Sequence, residues 1–204
     1  MFESYVRSIV EAAVKPMQAA ENGLALCKKQ GSITLYDPAK LLSDPTGSLP
    51  NIGQSYSKIV MAHLKYVTKS AGGEKLNQVK SAAAKHGYGP VIYDALLNTG
   101  WTMPDRLSVS HEALRVWNYY ANKRGDVSMK PLPPAFCVPD DDVYNDEQLK
   151  LVNSAYFVPD LQSGYSELID AHEEFVRALR PYHTANSVET YLSKAGDLLF
   201  GELY

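Results

Sequence analysis

Apolar residues return at helical spacing from Phe2 to about Lys29, with Tyr5, Ile9, Ala12 or Ala13, Met17 and Leu24 on one side. A helix is expected there, kinked or split at Pro16, whose ring removes a backbone donor. Its stripe can dock on the protein's own core or on a neighbouring subunit. After Gly31 the period changes, and Ile33-Thr34-Leu35-Tyr36 reads as a short strand ended by Asp37-Pro38. Residues 43–55 gather Ser, Asp, Pro, Thr, Gly and Asn, the composition of a surface loop. Ile59–Val67 and Leu76–Ala83 are strand candidates, and Ala71-Gly72-Gly73 between them suits a hairpin turn. Ala82-Ala83-Ala84 favour helix by propensity, so tertiary context must hold the second strand extended.

Beyond this hairpin, Val91–Leu97 is a short apolar helix and Arg106–Ser110 a strand-like piece. A second helix opens at His111 and runs to Trp117, with Ser110 and Glu112 placed for N-capping. A proline-dense connector lies between Pro131 and Pro139, followed by Asp140-Asp141-Asp142. Residues 147–158 begin as helix and end as strand at Ala155–Val158. Leu161–Leu179 is an amphipathic helix with Leu168, Ala171, Phe175 and Leu179 on one face, stopped by Pro181. A last helix covers Ser187–Leu199.

The 204 residues, 45% hydrophobic and 21% charged, suit one folded domain with appended elements. A net charge of −3 argues against sequence-independent nucleic-acid binding, which needs concentrated Lys and Arg. No apolar run approaches the length that crosses a bilayer, and the N-terminus has no secretory pattern. Cys27 and Cys137 are too few for a zinc motif or a disulfide framework, which points to a reducing, cytoplasmic setting. The three adjacent aspartates lack the alternating ligands of a calcium loop, and no two histidines have the spacing of a helical zinc pair, so no metal is expected. Neither a Walker pattern nor a Gly-x-Ser-x-Gly elbow is present. Fourteen tyrosines suit interfaces as well as cores, and leave room for a homo-oligomer.

The most informative stretch is Lys85–Trp117. Lys85-His86-Gly87-Tyr88-Gly89-Pro90 is a Gly-x-Gly turn leading into an apolar helix. Glycines there let backbone N–H groups crowd together at a helix start, where a phosphate can be held. Gly87-Tyr88-Gly89-Pro90-x-x-Tyr93-Asp94 and Asp105-Arg106-x-Ser108-Val109-Ser110-x-x-Ala113-x-x-Val116-Trp117 resemble the coenzyme A-binding core of GNAT N-acetyltransferases. They look closer still to a group of phage-encoded GNAT-like proteins, over roughly residues 59 to 127.

The resemblance implies an α/β fold, with a mixed, mostly antiparallel central sheet flanked by helices and extra helices at both termini. It divides the chain into an N-terminal helical segment (1–30), a core (31–158) and a C-terminal helical extension (159–204). It implies acetyl transfer from acetyl-coenzyme A to an amine, on a small molecule or a protein. The cofactor residues would be Lys85, His86, Gly87, Tyr88, Gly89 and Val91, with backbone donors on the pyrophosphate and a sheet edge near Val79–Ala82 aligning the thioester. One or two of Lys58, Lys65, Lys69, Lys75, Lys80 and Lys85 would meet phosphates, or all would be solvated. Glu74 is the nearest candidate base.

The chain departs from the family pattern at three places. Ala84 stands where Gln or Arg is preferred, Pro90 lacks an N–H, and Trp117 replaces a tyrosine that can protonate a thiolate. Tyr119, Tyr120 or Tyr156 would have to replace that acid. The competing expectation is a phage virion or host-interaction protein that keeps the fold without the chemistry.

Overall fold

In the computed structural model the described residues are 13–41, 49, 52–71, 73–105, 109–137 and 144–203. Pro16–Glu21 forms α1, followed by the hairpin β1 (Ala25–Lys29) and β2 (Ser32–Tyr36). Two helices, α2 (Pro38–Leu41) and α3 (Ile52–Ile59), lead to the long hairpin β3 (Val60–Ala71) and β4 (Glu74–Ala84). Next come α4 (Gly89–Leu97), β5 (Thr102–Met103), α5 (His111–Asn122) and β6 (Ser128–Pro131). The chain finishes with α6 (Asp146–Val152), β7 (Ser154–Phe157), α7 (Tyr165–Leu179) and α8 (Ala185–Leu203). Among the described residues, seven strands make one sheet in the order β1-β2-β3-β4-β5-β7-β6. Every neighbouring pair is antiparallel except β4 and β5. The fold is therefore mixed α/β, a mostly antiparallel sheet flanked by helices, the fold class that the resemblance implies.

Two predicted elements are corrected. The helix expected through Lys29 is a helix only over Pro16–Glu21 in the described part, and Ala25–Lys29 is strand; residues 1–12 lie outside the described residues. Pro16 starts that helix instead of kinking it, since its missing N–H would be unpaired there anyway. Leu24–Cys27 misleads because β1 is covered on both faces, and a doubly buried strand reads as a continuous apolar run. A strand not expected from the sequence lies at Thr102–Met103, while of the strand-like piece expected at Arg106–Ser110 only Val109 and Ser110 are described, and they are not strand. Residues 106–108 lie outside the described residues, as do Asp140-Asp141-Asp142 and most of the 43–55 loop, whose last residues join α3.

The sheet separates two apolar clusters. On one face Leu26, Ile33, Leu35, Ala62, Leu64 and Val79 pack with α4, which is buried from Val91 to Leu97. On the other face Ala25, Cys27, Tyr36 and Ala83 meet the last turns of α7 and the inner side of α8. Helix α7 contributes Leu168 to the first cluster and Phe175 to the second, and it lies along the edge strand β1. A covered edge cannot recruit a foreign strand.

Helix α8 approaches the sheet closely over β3. A Cβ on Gly196 would fall 2.2 Å from the ring of His63, which is fully buried. His63 Nδ1 lies 2.8 Å from Thr34 Oγ1, while Nε2 has no hydrogen-bond partner and sits 3.7 Å from Asp197 Oδ1. Burial lowers the imidazole to a pKa of about 4, with Asp197 opposing the shift and Lys65 reinforcing it. The unfolded chain therefore binds more protons than the folded one between about pH 6.5 and pH 4. Stability should fall as pH drops through that window, by about 3 kcal/mol at completion for 2.5 pH units. Urea unfolding at pH 7.5 and 4 checks this, with His63→Gln expected to flatten the profile; an equal slope in both proteins would refute it.

Candidate functional site

The site begins where β4 outlasts β5. The parallel pair consists of Asn77 opposite Thr102 and Gln78 opposite Met103, and Asn77 N–H donates to Trp101 O at 2.8 Å. Among the described residues, no strand follows β5 alongside Val79–Ala84 of β4. A bulge falls at the start of this stretch: Lys65 pairs with Ser81 and Tyr66 with Val79, leaving Lys80 as the extra residue. Bulges bend a strand and re-aim its backbone groups. Ala82-Ala83-Ala84 stay extended because both faces hold them: Ala83 packs under α8, and Ala82 and Ala84 against the α4 cluster. Larger side chains there would fill the space β5 leaves open.

That space is a cleft of about 380 Å³, walled by β4, α4, α5 and one residue of α8, Phe200. A second cavity of about 230 Å³ adjoins it, bounded by Gly87, Gly89, Pro90, Arg115 and Tyr119. The two share Ala84, Gly89, Tyr93, Glu112 and Val116, so together they form one channel from the glycine turn to the bulge. A larger groove of about 470 Å³ lies on the outer side of α5, against α6 and Met129. It is lined by mixed charges, among them Arg115, Glu147 and Lys150, and does not reach the glycine turn. The smaller pair, which includes the glycine turn, is therefore the candidate site.

The turn is tied down at three points. Lys85 N–H donates to Met61 O at 2.9 Å, Tyr88 N–H to Lys85 O at 3.1 Å, and Val14 N–H to Gly87 O at 3.0 Å. Gly87 has φ of +85°, which only glycine adopts without strain. Helix α4 then starts at Gly89 with Pro90 in its first turn, so the N–H groups of Gly89 and Val91 have no intrahelical acceptor. A Cβ on Gly89 would meet only Ala84 Cβ, at 3.9 Å. Glycine at this position thus answers no internal crowding and keeps the approach to the helix start open.

Of the six expected cofactor residues, the structure gathers Gly87, Gly89 and exposed His86 on the channel. Val91 is buried in the first turn of α4 and offers only its N–H. Lys85 lines the same cavity. Tyr88 spends its N–H within the turn, and the Lys85 ammonium contacts Ser57 O and, at 3.7 Å, Met61 Sδ. Of the other lysines, Lys65 pairs with Asp197 and Lys80 with Asp105 at 2.8 Å. Arg115 borders the cavity at the turn, as does Lys85. Glu74 opens β4, a full strand away from the turn, and pairs with Lys130 at 3.0 Å, so it is not placed as a base.

Trp117 is buried and lines the cleft, its ring 4.9 Å from Tyr156 and 5.6 Å from Tyr93. Two of the three candidate replacement acids are committed elsewhere. Tyr156 OH donates to Leu151 O at 3.0 Å, and Tyr120 OH donates to Asp94 Oδ1 at 2.6 Å. Burial, followed by the Asp94 charge, pushes the Tyr120 hydroxyl well above the usual phenol range. Tyr119 borders the channel at the glycine-turn end.

Behind this wall Arg124 Nη1 reaches both Asp94 oxygens at 3.1 Å, and its other nitrogens bind Asp126. Burial raises the Asp94 carboxyl, with Arg124 and Tyr120 opposing it. The network joins α4 to the end of α5, fixing the two helices that frame the channel.

Asp105 and Phe200 also line the cleft, neither of them singled out from the sequence as a site residue. Asp105 accepts from Gln78 Nε2 and Lys80 Nζ, each at 2.8 Å. Only the parallel β4–β5 pairing could have placed it there. Among the described residues no cluster of His, Cys, Asp and Glu could hold a metal ion, and no helix is long and apolar enough to cross a membrane. No family model, curated protein or solved structure matches the chain.

Proposed function

We propose that this protein is a GNAT-type acyltransferase that moves an acetyl group from acetyl-coenzyme A to an amine. The observation that carries this is the cleft along β4 that adjoins the cavity at the Gly87–Gly89 turn, the two sharing Ala84, Gly89 and Tyr93. Its turn end offers backbone donors at a helix N-terminus and Arg115, a match for a pyrophosphate. The cleft beside β4, walled by Val79, Ile92 and Trp117, would take the pantetheine arm. The bulge at Lys80 puts re-aimed backbone where a thioester oxygen would need a donor. In the reaction the neutral amine nitrogen attacks the thioester carbon, the C–S bond breaks, and the acyl group ends on nitrogen. The displaced proton passes to solvent and the sulfur leaves as thiolate, to be protonated from water. No tyrosine hydroxyl stands at Trp117 to assist that step, so turnover is expected to be slow.

Trp117 also favours a second reading, a binding protein that keeps the fold without the reaction, such as a virion or host-interaction component of a phage. Coenzyme A binding separates the two. Gly89→Val is expected to weaken acetyl-coenzyme A by about 100-fold or more, equivalent to losing two hydrogen bonds to a charged ligand at roughly 1.5 kcal/mol each. The fold should persist, because the added Cβ meets only Ala84. Calorimetric titration of both proteins checks it, and equal affinities would remove the turn from the site.

A further inference from the structure

We propose that the groove between α5 and α6 binds a neutral sugar, a role that does not depend on the acetyl-transfer reading. Its volume of about 470 Å³ lies within the range of roughly 300–1,000 Å³ usual for small-molecule sites. Two pairs of side-chain amides line it, and each pair is held from within. At the start of α6, Asn145 Oδ1 accepts from Gln148 N–H at 2.9 Å, and Gln148 Oε1 accepts from Asn145 N–H at 3.1 Å. Both oxygens are engaged by the main chain, so each side chain keeps its NH2 group for a ligand. On α5, Asn122 Nδ2 donates to Asn118 Oδ1 at 2.7 Å. That bond leaves an NH2 group on Asn118 and a carbonyl oxygen on Asn122.

The groove thus offers the NH2 donors of Asn118, Asn145 and Gln148, with Asn122 Oδ1 and the Glu147 carboxylate as acceptors. Leu114 and Leu151, both buried, supply an apolar floor. A sugar hydroxyl donates and accepts at once, so a ring bearing several of them satisfies both kinds of group, while its C–H face covers the floor. Other ligand classes fit less well. The groove's cations Arg115 and Lys150 are balanced by Glu147 within it and by Glu112, three residues before Arg115 on α5. No net charge is left to draw a phosphate or a carboxylate. Among the described residues no Phe, Tyr or Trp lines the groove, so a planar base finds no stacking platform.

The test is an NMR titration of the intact protein that follows the side-chain NH2 signals, with cellobiose and N,N′-diacetylchitobiose as probes and glycerol as the control. At millimolar concentration at least one disaccharide should move the signals of Asn118, Asn145 and Gln148, and leave the amides of Gly87 and Gly89 in place. Glycerol at the same concentration should move none of them. Asn118→Leu should weaken binding by about five- to tenfold, the effect of one lost hydrogen bond. If that variant fails to fold, Glu147→Ala, on the exposed first turn of α6, carries the same expectation. Still signals with both disaccharides, or an equal response to glycerol, overturn the proposal. So does undiminished affinity in the folded variants. A response to the uncharged peptide acetyl-Ala-Ser-Ala-amide and to neither sugar also overturns it, and assigns the groove to peptide.

Discussion

Gly164→Ala is expected to destabilise the protein by roughly 2–5 kcal/mol, the sum of a left-handed backbone penalty and of overpacking. Gly164 caps α7 with φ of +101°. A Cβ there would lie 2.2 Å from Met17 N, 2.5 Å from Met17 Cα and 2.6 Å from Pro16 C. These are main-chain atoms of α1, which no side-chain rotation can move aside. The helix must either back away from α7 or distort its own first turn. Urea unfolding should show the midpoint falling with little change in slope. An unaltered midpoint would contradict the seating of α1 on α7.

Arg124→Met should cost about 3–5 kcal/mol, the usual consequence of removing one partner from a buried ion pair. The Asp94 carboxylate is 3% exposed, and the variant would leave it only the Tyr120 hydroxyl. Such a carboxyl holds its proton to a higher pH in the folded state than in the unfolded state. Folding of the variant then takes up a proton, so its deficit relative to wild type should shrink as pH falls from 8 to 5. The double variant Asp94→Leu, Arg124→Met should lose less than Arg124→Met alone, because no charge is left buried. Equal losses at both pH values would show that Asp94 is not carrying an uncompensated charge.

The parts of the fold legible in the sequence are those with one dominant local cause. The β3–β4 hairpin shows as two apolar-rich runs around a glycine turn, and α7 as a clean stripe from Leu168 to Leu179. The glycine turn is legible because φ of +85° at Gly87 calls for a residue without a side chain. Ala82–Ala84 run against propensity, and only their burial between two helical layers keeps them extended. The hidden parts depend on distant elements. Strand β1 is masked by helices on both faces, Asp105 reaches the cleft through parallel pairing, and Phe200 arrives on the last helix. Chemical type alone did not show that the Tyr120 and Tyr156 hydroxyls are bound within the core.

The most direct measurement of the central claim is an amide NMR titration of the intact protein with acetyl-coenzyme A. Binding along the channel predicts that the amide signals of Gly87, Gly89 and Val91 move together with those of Val79–Ala84, while the hairpin tip near Gly73 stays unchanged. Signals that remain still at millimolar ligand, or that move only in the groove between α5 and α6, would contradict a coenzyme A site at the glycine turn.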